Sequence, residues 1–153
     1  MRPTGRHIAM DCYNCAYEPL HDAAALRDLL NTLLAQHEIA LIGYHSQPVE
    51  GHGLAIMALF EGGHLTLHTY PDIGFAAADF FTCYNSEPIE AAALALKKAL
   101  HPGKTKVTYL KRGDFGSESD MKPKMRVHMS SMKRMRQTGE KMMRLLKKRP
   151  KMS

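Results

Sequence analysis

The sequence predicts an α+β fold: a two-layer α/β sandwich with an antiparallel-rich sheet and two helices on one face, followed by a basic C-terminal extension. Three observations predict it. Six short segments carry strand patterning, two windows carry apolar residues at helical spacing, and a Gly-Gly pair separates two neighbouring strands. Two helices crossing one such sheet bury one face of it and give two layers.

The elements follow in order. His7 to Tyr13 reads as a first strand. Asp22 is placed to cap a helix in which Leu26, Leu29, Leu30, Leu33 and Leu34 recur at helical spacing up to about His37. Ile39 to His45 reads as a second strand. Leu54 to Phe60 is an apolar run of strand length, Gly62-Gly63 turns the chain, and His64 to Tyr70 alternates strictly. Ala76 to Tyr84 is a further strand. Ser86 and Pro88 start a second helix with Leu94, Leu96 and Leu100, which ends near Pro102-Gly103, and Lys104 to Leu110 is the last strand.

Beyond the last strand the composition changes. Gly113 to Pro123 is rich in Gly, Ser, Asp, Glu and Pro and reads as a linker. Met125 to Leu146 interleaves methionine and leucine with Lys and Arg, the pattern of a basic amphipathic helix that Gly139 weakens by about 1 kcal/mol. Up to Asp114 there are nine Lys/Arg and twelve Asp/Glu, net −3; from Phe115 onward there are twelve and three, net +9. The expected division is therefore a body over 1–114 and a basic, Met-rich tail over 115–153.

Bulk properties narrow the class. A chain of 153 residues fits one domain with a sizeable core. There is no run of about 18 apolar residues, so no transmembrane helix is expected. No apolar stretch precedes Asp11, so no signal peptide is expected either, and a cytoplasmic location follows by default. Three cysteines in such a chain argue against a disulfide framework.

Two blocks carry a specific signal. The first is Gly62-Gly63-His64-Leu65-Thr66-Leu67-His68-Thr69-Tyr70-Pro71-Asp72; the second is Gly74-Phe75-Ala76-Ala77-Ala78-Asp79-Phe80-Phe81-Thr82-Cys83. Gly5-Arg6-His7 and Asp11-Cys12-Tyr13-Asn14-Cys15 precede them. In this order and spacing, residues 4 to 113 resemble the prokaryotic S-adenosylmethionine decarboxylase family. That family reads Glu-Ser-His-(Leu/Ile)-(Thr/Ser)-Ile-His-Thr-(Trp/Tyr)-Pro-Glu at the first block. It cleaves itself before the serine, which becomes a pyruvoyl cofactor. The resemblance implies the same sandwich fold, with protomers pairing into a dimer with shared sites. It implies that His68 assists processing and that Cys83 donates a proton in decarboxylation. His64, Tyr70 and Asp72 become candidates for ligand contact.

The departures from the family pattern bear on the chemistry. Gly63 stands where the pyruvoyl-forming serine is expected, Gly62 where the preceding glutamate is, and Ala55 where a helper serine is. The aromatic residue thought to stack on adenine has no clear counterpart in His45 to Ala55. Self-processing needs a hydroxyl that attacks the preceding carbonyl, then an elimination that leaves dehydroalanine, which hydrolyses to the ketone. That ketone is the electron sink for decarboxylation. Glycine has neither hydroxyl nor β-carbon, so no cofactor is expected by the serine route. Thr66 reads as an ordinary strand residue.

Three functional readings remain open. The first is a non-processing pseudoenzyme of spermidine biosynthesis that binds S-adenosylmethionine or a polyamine, as a homodimer or as a heterodimer with an active paralogue. The second is a working decarboxylase, by another route to a carbonyl or by different chemistry on His68 and Cys83. The third is a nucleic-acid-interacting protein whose tail contacts polyanions. No Phe, Tyr or Trp follows Phe115, which argues against base stacking by the tail. His64 and His68 fall on one strand face with His45 and His52 in the preceding segment, but the resemblance accounts for the first two without a metal, and none is expected. Cys12-Tyr13-Asn14-Cys15 has Cys-x-x-Cys spacing, yet residues three apart on a strand face opposite sides, so two separate structural cysteines are expected.

Overall fold

Alternation along the strands decides which face of the sheet is buried. In the computed structural model, residues 5–84 and 86–113 are described, together with the backbone of residues 124–129. The strands are β1 (Gly5–Tyr13), β2 (Leu41–Val49), β3 (Gly53–Phe60), β4 (Gly63–Tyr70), β5 (Phe75–Thr82), β6 (Lys104–Arg112) and β7 (Lys124–Met129). All neighbours are antiparallel, in the order β2-β3-β4-β5-β1-β6-β7.

Two helices, α2 (Ala23–Gln36) and α3 (Glu87–Ala99), close one face, after a single turn α1 (Glu18–His21) that sequence patterning did not reveal. Leu26, Leu30, Leu33 and Leu34 of α2 and Ile89, Ala92, Ala93 and Leu96 of α3 form one core with alternate strand residues. Those strand residues include Ile8, Met10, Ile56, Ala58, Leu65, Leu67, Ala78 and Phe80. Asp22 caps α2 as expected, accepting from Ala24 N at 2.9 Å and Ala25 N at 3.0 Å. Ser86 precedes α3 but makes no side-chain cap; Pro88 sits in the first turn, where a missing N–H costs nothing.

The α+β sandwich is thus as the sequence predicts, with three local differences. First, Phe60 pairs with Gly63, so the turn is Glu61-Gly62, with φ +75° at Gly62, and Gly63 already belongs to β4. Second, residues 124–129, read from sequence as the start of an amphipathic helix, pair as β7 along β6. Lys124-Met125-Arg126-Val127-His128-Met129 alternates with period two as well as fitting a helix, and the open edge of β6 favours the strand. The sheet therefore continues past residue 114; the rest of the tail, including the remainder of the expected helix, lies outside the described residues.

Third, Cys12 and Cys15 are not separate. β1 ends at Tyr13, Asn14 takes a left-handed φ of 55°, and the chain folds back so that the two thiols meet in a hydrogen bond. The opposite-faces argument holds only while a strand continues through both residues.

Candidate functional site

The face of the sheet away from the helices carries the chemistry-bearing residues. Period-two alternation sends His64, Thr66, His68 and Tyr70 of β4 to this face. From β5 come Phe75, Ala77, Asp79 and Phe81; from β1, His7, Ala9, Asp11 and Tyr13; from β3, Ala55, Met57 and Leu59. β4 lies between β3 and β5, so it forms the axis of the site.

One end of β4 is closed. The Cys83 N–H donates to the Gly62 carbonyl at 2.8 Å, which fixes the turn against the end of β5. A Cβ at Gly63 would overlap the carbonyl oxygen of Phe81 and stand 2.6 Å from Cε2 of Phe60. A Cβ at Gly62 would stand 2.5 Å from the ring of Tyr84. Gly63 therefore has no room for a side chain unless backbone moves, whereas Gly62 is covered by a ring that can swing away. Cys83 is exposed beside this turn, and His64 stacks on Phe81 with ring centroids 5.4 Å apart.

The other end of β4 is open. His68 is exposed and lies in register between Ala55 of β3 and Ala77 of β5. Tyr70 stacks on Phe75 at 5.9 Å, and Tyr13 packs on the other side of Phe75 at 5.3 Å, which makes a three-ring row. Burial and the Asp11 carboxylate beside it push the Tyr13 phenol above its usual range, keeping it a neutral donor. Asp72, in the 3-10 turn Pro71–Ile73, accepts from His52 Nδ1 at 3.2 Å.

The sequence-predicted residues thus fall into two groups. Gly62, Gly63, Cys83 and His64 sit at the closed end; His68, Ala55, Tyr70 and Asp72 sit at the open end. Gly63 and His68 are five strand residues apart, about 16 Å. Within one protomer they do not meet.

Between the two ends lies a network that motif reading missed. His7 Nε2 donates to Asp79 Oδ1 at 3.1 Å, and the Thr66 hydroxyl donates to Asp79 Oδ2 at 3.5 Å. The other ring nitrogen of His7, Nδ1, is buried and without a partner among the described residues. Asp79 so orients the His7 ring on this face of the sheet, bridging β1 and β4 through one carboxylate. His7 and Asp79 both lie in the blocks that carry the family resemblance. What was missing was the strand order, which makes residues 72 positions apart neighbours.

Comparison with known proteins agrees with this architecture. The family model described as S-adenosylmethionine decarboxylase matches residues 6–113. The S-adenosylmethionine decarboxylase proenzyme of Symbiobacterium thermophilum is 34% identical over 115 residues, covering 74% of this chain and 86% of that protein. The proenzyme of Methanococcus maripaludis is 29% identical over 113 residues, covering 74% and 93%. The crystal structure of adenosylmethionine decarboxylase from Aquifex aeolicus superposes with a TM-score of 0.69 at 24% identity, covering 77% of this chain and 98% of that one, and shows the same fold. This chain belongs to the S-adenosylmethionine decarboxylase family.

Proposed function

We propose that this chain is a non-processing S-adenosylmethionine decarboxylase-like protein of polyamine biosynthesis, acting as a ligand-binding or regulatory partner. The observation that carries the reading is Gly63. It offers no hydroxyl, and the Phe81 carbonyl and the Phe60 ring fill the space a serine Cβ would need. The residues present do not fit a pyruvoyl group made by the serine route. Ala55 adds to this, because the helper hydroxyl is missing from the strand position that faces His68.

The separation of the two half-sites supports pairing of protomers. If processing or ligand binding in this family draws on both the Gly63 position and His68, residues about 16 Å apart on one strand must come from two subunits. A second copy of this chain or an active paralogue would supply the missing half. For the ligand, the Tyr13–Phe75–Tyr70 row offers stacking for a flat base or a cation, with Asp11 and Asp72 near to match positive charge. S-adenosylmethionine and polyamines both carry that charge.

Intact-mass measurement with an aminooxy carbonyl probe tests the reading. The purified protein is expected to run as one chain and to take up no probe. Two fragments with a break between Gly62 and Gly63 and a probe-reactive N-terminus would overturn it in favour of an active decarboxylase. Ligand binding is tested by calorimetry with S-adenosylmethionine and spermidine, expected to weaken about tenfold in Tyr70→Ala.

The +9 tail supports a second partner class. If about six of its cations contact phosphates, affinity for duplex DNA falls with a log–log salt slope of roughly −5. Salt-independent binding would remove this reading without touching the first.

A further inference from the structure

The Cys12–Cys15 pair lies outside β4, where β1 runs out into its loop. Its surroundings are specific. Gly103 N–H donates to the Tyr13 carbonyl at 2.9 Å, and Cys15 N–H donates to the Gly74 carbonyl at 2.9 Å. The turn is therefore pinned on both sides, and Asn14 at φ 55° sets its reversal. The two thiols are held together inside it, in hydrogen-bond contact. Cys12 is fully buried, whereas Cys15 is at the boundary, 9% exposed, with exposed Asn14 and Ala16 on either side.

We propose that Cys12 and Cys15 form a covalent redox-modification site, a dithiol that closes to a disulfide by exchange with a low-molecular-weight disulfide. The direction of reaction follows from the environment. The hydrogen bond with Cys15 first, and burial second, push the Cys12 thiol well above its ordinary range. Cys15, the less buried of the two sulfurs, is therefore the one that attacks first.

The exchange balances in two steps. The Cys15 thiolate attacks one sulfur of the small disulfide, forming a mixed disulfide and releasing one small thiolate. Cys12 then attacks the Cys15 sulfur, forming the intramolecular bond and releasing the second. The two protons of the protein thiols pass to the two released thiolates. The protein dithiol is oxidised by two electrons and the small disulfide is reduced to two thiols. The product ties the end of β1 to the loop that holds Gly74, one residue before Phe75 and its ring row.

Cys83 provides the internal contrast, being exposed and at the far end of β5. Trypsin separates the two chemistries, since Cys12 and Cys15 share the peptide 7–27 and Cys83 lies in 28–97. Full-length native protein is treated with oxidised glutathione, quenched with acid, alkylated and mapped by mass. The 7–27 peptide is expected to lose two hydrogens, carry no glutathione and recover both thiols in dithiothreitol. The Cys83 peptide is expected to carry glutathione instead. In Cys12→Ser, Cys15 is expected to hold one glutathione that it cannot pass on. Two alkylatable thiols in 7–27 when Cys83 is fully modified would overturn the proposal. So would a lasting glutathione on Cys15 in the parent protein, because Cys12 would then be out of reach. The parent result decides even where the serine variant does not fold.

Discussion

At the Gly63 end of β4 a backbone carbonyl and an aromatic ring occupy the space where a side chain would begin, while at the His68 end the side chains stand exposed between two alanines. Both ends lie on the same strand, in the same sheet and within the same family motif. The difference shows that the room for a side chain is set position by position along one strand, not by the strand as a whole. At the closed end the fold has committed to glycine: the space is taken by backbone, which cannot rotate out of the way. At the open end the His68 side chain is exposed and takes no part in the core, so it is free to serve contacts with a ligand or a second subunit.

Substitutions along β4 can break or sharpen this contrast. Gly63→Ser is expected to have the largest effect, a loss of about 3 kcal/mol in urea unfolding, because the Phe81 carbonyl must move. It is also expected to give no self-cleavage by itself. Normal stability with rapid cleavage would mean that the closed end is a superficial feature. Gly62→Ala is expected to cost about 1–2 kcal/mol, from the left-handed φ, since the Tyr84 ring can yield. A larger loss than in Gly63→Ser would mean that the turn, not the first residue of β4, is the tighter position.

In the middle of the strand, Asp79→Asn is expected to cost about 1 kcal/mol, because Asp79 is 43% exposed and water partly replaces its two bonds. In NMR spectra it is expected to change the His7 tautomer signal while leaving His68 unmoved. His68→Ala closes the series, with a change in stability within about 0.5 kcal/mol. A loss as large as that of Gly63→Ser would show that the open end is structural after all.

Much of this was legible before the fold was known, because it depends on local patterning. Strict alternation in His64 to Tyr70 fixes which residues share a face, and Asp22 before a leucine-rich helical run marks its own cap. Other features depend on what lies next door. The His7–Asp79 pair requires knowing that β1 and β5 are neighbours. The Cys12–Cys15 contact requires knowing that the strand stops at Tyr13. The steric closure at Gly63 is set by Phe81 and Phe60, which no rule about glycine alone would identify. Residues 124–129 fit two periodicities, and the open edge of β6 selects between them.

That last choice has a consequence for self-association. Every sheet edge is a row of unspent hydrogen-bonding groups that invites pairing with another molecule. At one margin, β2 is blunted by Pro48 and by a register shift between Leu41 and Gly43. At the other, Lys104 to Tyr109 is covered by Met129 to Lys124 of the same chain. The short strand drawn from the cationic tail therefore replaces β6 as the margin of the sheet, and a chain ending before Lys124 would present the longer β6 there instead.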